Sequence, residues 1–272
     1  MMIEKMNRGG ARKSTWLKDV LDIAWYYLMF ILIQLVCILL LGIMADGANK
    51  VIVASAISSV LTTLLFVRLK WSPVTRDYLK SKPVLPILWV VLLALGTIVP
   101  SVALNDFLGL EMPEEEATLL AEMMKKPAGY AAIGVLIPIA EEIVFRGAIL
   151  RKLLEKMGDG KHWLAILCSA LLFGIAHGNS AQFVHAVLAG MLLGWLYYRT
   201  KSVVPGIAFH LVNNTVTYIV VNILPPGMED ITISQLAGGS TTHMILYIVF
   251  SLCIFIPALF QLNRLLKRVG EK

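Results

Sequence analysis

Apolar runs of about twenty residues recur along nearly the whole chain, and this repetition limits the fold more than any other feature. Eight can be drawn, at about 20–45, 51–69, 86–104, 128–154, 162–177, 181–198, 203–224 and 242–262. A run of that length crosses the roughly 30 Å hydrocarbon core of a bilayer as a helix. Within hydrocarbon, each backbone N–H and C=O must find its partner inside the protein, which a helix provides. The chain therefore reads as all-α, a polytopic membrane helix bundle of about eight transmembrane helices. Composition agrees: of 272 residues, 58% are hydrophobic and 15% charged, against about 25% charged in soluble domains. The polar segments leave no room for a separate soluble domain, so residues 1–272 are expected to form a single membrane domain. The first run is too long for a cleavable leader and is expected to remain as an anchor.

The charges between the runs alternate. Residues 1–19, 68–82, 146–161, 199–201 and the tail 263–272 are basic, whereas 106–126 and 225–240 are acidic or neutral. Lys and Arg accumulate on the cytoplasmic side of membrane proteins, so both termini are expected in the cytoplasm and the protein is expected in a cell membrane, as a multi-pass protein in contact with lipid. The same rule accounts for the net charge of +6 without nucleic acid as a partner. Nothing in the sequence sets an oligomeric state. Cys37, Cys168 and Cys253 lie in apolar runs without metal or disulfide spacing and are expected to be buried, reduced packing residues. The acidic segment 106–126 is expected to form an interfacial helix on the outer face, with a lid over the substrate path as the other reading. Gly96 and Pro100 suggest irregularities in the third run. Ala186, Gly190 and Gly194, four apart, mark a close helix contact in the sixth.

One run carries a cluster that hydrocarbon does not tolerate alone. Glu141-Glu142-Ile143-Val144-Phe145-Arg146 sits inside 128–154, and each ionised side chain at mid-bilayer costs about 2.5–3.5 kcal/mol even on lenient scales. Glu142 and Arg146, four apart, can pair on one helix face. Glu141 is turned about 100° from Glu142, which leaves it free for a different cavity. Pro138 is expected to free the carbonyl of Gly134 and bend the helix beside the cluster. Two other runs supply polar partners at the same spacing, Phe173 with His177 and His210 with Asn214. A carboxylate and an imidazole converging on one water can deprotonate it for attack on a peptide carbonyl, and a donor pair can stabilise the oxyanion. Proton-coupled transporters and non-catalytic scaffolds also use intramembrane charges, so the residues alone leave three classes open. His185 reads as an interior histidine outside the site. His-Glu-x-x-His, Gly-x-Ser-x-Gly and Gly-x-Gly-Asp are missing from the sequence.

Taken together, Glu141-Glu142-x-x-x-Arg146, Phe173-x-x-x-His177 and His210-x-x-x-Asn214, on separate runs and in this order, resemble the CPBP (CAAX protease and bacteriocin-processing) family of intramembrane proteases, also called Abi or Rce1-like. Gly190, Gly194, Arg199-Thr200 and Pro205 add to the likeness to bacterial members. The resemblance covers about residues 128–215 and makes that stretch the catalytic core. It implies an intramembrane endopeptidase that cuts near the end of a protein or peptide substrate, with Glu141 activating water, His177 as its partner, and His210 with Asn214 at the oxyanion. Glu142, Arg146 and Phe173 then have structural or substrate-binding roles, Arg146 as a contact for a substrate carboxylate. No cofactor is expected. Zinc is the alternative, with Glu141, His177 and His210 as ligands. Bacteriocin immunity without catalysis is a further role that the family implies.

The cavity is expected to open toward the cytoplasmic half. One piece of arithmetic does not close: His210 lies roughly 10 Å from the cytoplasmic start of its run and His177 roughly 22 Å from its own. A tilt, a buried start to the seventh run or a wrong boundary for the fifth would each reconcile them.

Overall fold

A computed structural model describes residues 16–41, 47–75, 77–223 and 233–266. Most of the basic N-terminus, the end of the tail and the 224–232 loop lie outside the described residues. Besides short turns at Asp77–Lys80, Asp159–Lys161 and Ile233–Leu236, the helices are α1 (Trp16–Leu41), α2 (Gly47–Arg68), α3 (Val84–Leu108), α4 (Glu114–Met124), α5 (the unbroken helical stretch 127–157), α6 (His162–Ile175), α7 (Ser180–Thr200), α8 (Val204–Ile223) and α9 (Thr241–Leu265). There is no strand among the described residues. Of these, α1, α2, α3, α7, α8 and α9 are long and apolar enough to cross a membrane. The other two expected spans are α5, which changes register along its length, and the shorter α6.

The exposed surface is that of a protein in lipid. On α1 the buried residues Asp19, Tyr26, Phe30 and Cys37 recur at intervals of seven, four and seven, a single seam. The remaining faces present Leu28, Leu32, Leu35 and Leu39 outward. Cys253 is likewise exposed on α9 and Cys168 half-buried, so only Cys37 is the buried packing residue that was expected. An unbranched thiol is as acceptable against acyl chains as in the core.

Small residues set the helix contacts. A Cβ on Gly190 would lie 2.9 Å from the Cβ of Ala170, and one on Gly194 2.8 Å from Ile166, so the expected stripe on α7 is the seam with α6. A Cβ on Gly96 would lie 2.7 Å from the backbone nitrogen of Phe255. Gly96 is thus a packing notch, and α3 runs unbroken past Pro100. Pro100 has no N–H to offer the carbonyl of Gly96, and Ser251 Oγ on α9 donates to that carbonyl instead at 3.1 Å.

The basic end of the bundle is tied by ion pairs. Lys152 pairs with Asp22 and, at 3.5 Å, with Asp19; Lys156 pairs with Asp19 at 3.1 Å. Arg151 donates to the carbonyl of Trp71 at 3.0 Å. Arg199 donates to the carbonyls of Asn263 and Leu266, closing the end of α9 with a cation where the helix dipole favours one. Gly158, in the left-handed region at φ 73°, ends α5.

Candidate active site

The site begins with a departure from α geometry. Within α5, residues Tyr130–Leu136 and Glu142–Leu150 are π-helical, with Ile137–Glu141 α-helical between them. Such wide turns gather at functional sites. In a π register each carbonyl looks five residues ahead, so the carbonyl that Pro138 leaves unpaired is that of Ile133, not Gly134. Asn214 Nδ2, on α8, donates to Ile133 O at 2.9 Å. An amide that sequence reasoning placed at the oxyanion is therefore also the partner of a proline-freed carbonyl. One of its two N–H donors remains.

Glu142 and Arg146 form the expected ion pair, Nη1 to Oε1 at 2.7 Å, with side-chain exposures of 0% and 1%. Arg146 Nη2 also donates to Gly190 O at 3.4 Å, and the guanidinium lies 4.4 Å over the ring of Phe173, a contact strengthened by exclusion of water. The pair is enclosed. Neither residue lines the cavity, so Arg146 is not presented to a substrate carboxylate. Gly206 makes this closeness of α8 to α5 sterically feasible: a Cβ there would lie 2.1 Å from Glu142 Oε2.

Glu141 faces the other way, as its turn around the helix predicts, into a cavity of about 440 Å³. Glu141, Phe173, His177, His210 and Asn214 all line it. Glu141 Oε2 is 3.6 Å from His210 Nε2, and His210 Nδ1 is 3.9 Å from Glu142 Oε1. Phe173 presents its ring at 4.9 Å to His177 and 6.0 Å to His210, perpendicular to both. It holds both imidazoles and Arg146 in register.

His177 Nδ1 is 2.9 Å from the carbonyl of Phe173. A carbonyl only accepts, so Nδ1 carries the hydrogen and Nε2 of the neutral ring is left with its lone pair.

The start of α8 is buried. Ser202, Val203, Pro205 and Gly206 are all buried, and a Cβ on Gly147 of α5 would meet Ser72 and Val203. His177 and His210 both reach the cavity and share Phe173 as a neighbour.

Sequence reasoning missed several lining residues. His185, set aside as interior, lines the cavity, as does Asn213, whose buried Oδ1 has no hydrogen-bond partner. Asn213 adjoins a motif residue, but spacing alone does not tell which amide turns inward. The acidic helix α4 supplies Glu116, Leu119, Leu120, Met123 and Met124 to the wall, and Asn179 Nδ2 donates to Glu116 Oε2 at 2.8 Å. The exposed lining residues, Glu116 and Thr217, lie away from the Lys/Arg-rich end. The cavity therefore opens at the end of the bundle opposite the Lys/Arg-rich end. Among the described residues no three His, Cys, Asp or Glu side chains are grouped to hold a metal ion.

Residues 125–216 match the family described as type II CAAX prenyl endopeptidase Rce1-like. YdiL of Bacillus subtilis (strain 168), which its name assigns provisionally as a membrane peptidase, is 30% identical over 188 residues, 67% of this chain and 74% of YdiL. The chain belongs to the Rce1-like, or CPBP, protease family. No solved structure matches it. Family membership and six helices of spanning character make it a multi-pass membrane protein of a protease family. The motif residues all fall inside the matched stretch.

Proposed function

We propose that the protein is an intramembrane endopeptidase in which Glu141 activates water for attack on a peptide bond. The observation that carries this reading is the Glu141–His210 pair, 3.6 Å apart and facing an open cavity. Two carboxylates and one guanidinium leave one negative charge unbalanced, and a buried charge without compensation costs several kcal/mol. One proton held between Glu141 and His210 restores the balance.

In the reaction, Glu141 takes a proton from water as the water oxygen bonds to the substrate carbonyl carbon. His177, with its Nε2 lone pair toward the cavity, orients that water. The oxyanion meets His210 Nε2–H and the spare N–H of Asn214. Collapse breaks the C–N bond, and the proton on Glu141 passes to the leaving amine. Arg146 and Phe173 position the imidazoles without touching substrate. The family's description as CAAX endopeptidases supports a bond near the substrate's C-terminus. No metal is required in this scheme, and the membrane is that of a bacterial cell.

The test is cleavage of a peptide library by the full chain in lipid nanodiscs, for wild type and Glu141→Gln, each with and without a zinc chelator. Cleavage lost in Glu141→Gln and retained with chelator is expected. Loss on chelation, restored by zinc, overturns the metal-free scheme; activity retained by Glu141→Gln overturns the role of Glu141. No cleavage in any sample favours a scaffold or immunity role.

A further inference from the structure

Much of the cavity wall comes from α4 and the residue before it. Met112, Leu119, Leu120, Met123 and Met124 form an apolar side, and Glu116 stands at the opening. Methionine side chains are flexible and polarisable, so such a wall accepts varied apolar groups. At the inner end Glu141, only 9% exposed, makes no hydrogen bond to the described residues and lines the same space. Paired with His210 at 3.6 Å, it still has acceptor capacity for a group that enters the cavity.

The opposite route is closed. Beneath Glu141, the Glu142–Arg146 pair is fully enclosed against Gly206, and beyond it the Asp19, Asp22, Lys152 and Lys156 pairs tie the basic end together. The cavity is lined by Glu116 and Glu141 but by no Lys or Arg, and Glu114 and Glu115 stand exposed beside Glu116. A cleft with carboxylates of one sign and low-dielectric walls concentrates the opposite charge. Glu116 Oε2 accepts one bond from Asn179. An ionised carboxylate has about four acceptor positions, so room remains for an ammonium or guanidinium.

We infer that the cavity admits peptide segments from the α4 face, the extracytoplasmic side when the Lys/Arg-rich ends are cytoplasmic, and that Glu116 selects those bearing Lys or Arg in the stretch that lies across the opening, a few residues from the bond to be cut. This deepens the peptidase reading and rests on it.

Two measurements on the full chain test it. In a cysteine-free background, Glu122→Cys on α4 and Lys156→Cys at the basic end are exposed to a membrane-impermeant maleimide on intact cells. Labelling of Glu122→Cys, with Lys156→Cys reacting only after permeabilisation, is expected; the reverse overturns the direction of entry. In nanodiscs, matched peptides differing only by Lys or Glu at one position, moved stepwise away from the cleaved bond, are compared for wild type, Glu116→Gln and Glu116→Lys. Wild type should prefer Lys by about twofold to fivefold in kcat/KM, the size of exposed ion pairs, and less at high salt. Glu116→Gln should bring the ratio toward one and Glu116→Lys should invert it. Glu141-dependent cleavage with no charge preference, or an unchanged preference in Glu116→Lys, overturns the selectivity. Failure to cleave any peptide overturns the peptidase reading itself, and this inference with it.

Discussion

A single methyl group at Gly206 should separate catalytic geometry from mere folding. A Cβ there would sit 2.1 Å from Glu142 Oε2 and 2.9 Å from its Cδ, whereas carbon contacts settle near about 3.5–4 Å. Something must give by about 1 Å. Glu142 is held by its 2.7 Å bond to Arg146, and Arg146 is held over Phe173. The easier movement is of α8, which carries His210 one turn further on, away from Glu141. Overpacking of this kind costs about 1–3 kcal/mol of stability, and a 1 Å displacement of reacting groups costs about 100-fold in rate. Gly206→Ala should therefore remain folded, unfold at a lower temperature, and lose about 100-fold in kcat/KM on a peptide that wild type cleaves with Glu141. Gly147→Ala is the control. Its Cβ would meet Ser72 Oγ at 1.9 Å, a side chain that can rotate, and it is remote from the cavity. It should lower thermal stability alone. A Gly206→Ala enzyme within about threefold of wild type would refute the argument that this notch sets the distance between Glu141 and His210.

Two further substitutions probe the support around the site. Arg146→Ala leaves Glu142 buried without its cation and should cost about 3–5 kcal/mol, read by thermal unfolding in lipid; Arg146→Lys should recover part of that but not the planar stacking on Phe173. Ser251→Ala and Asn214→Ala each remove the donor to a carbonyl that a proline leaves unpaired, at Gly96 and Ile133. Both should cost about 1–3 kcal/mol, but only Asn214→Ala should also lower kcat.

Most of the architecture was legible because membrane insertion is governed by local composition. The expected run 181–198 emerges as Ser180–Thr200 and 203–224 as Val204–Ile223. The Glu142–Arg146 pair follows from the same kind of argument, since the cost of bare charge in lipid demands a neighbour within one helical turn. The Ala186, Gly190 and Gly194 stripe announced a close contact, although not with which helix. Cys253 was misread because hydropathy does not distinguish a core-facing position from a lipid-facing one.

What tertiary structure alone decided concerns distances between helices. The π turns in α5 shift the freed carbonyl from Gly134 to Ile133, and only the approach of α8 supplies Asn214 as its donor. The packing of α8 brings His210 to the same Phe173 ring that His177 meets, an encounter that counting residues from the surface does not yield. α4, which by its charge reads as a solvated helix, forms the wall of the cavity because Ala117, Ala121, Met123 and Met124 bury its other face. The sequence by itself determined which segments enter the membrane and which residues within them need a partner, because transfer free energies depend on each residue and its near neighbours. Which partner each one meets, and at which end of the bundle the cavity opens, depends on how rigid helices pack across many residues of separation, and that was decided only in the folded bundle.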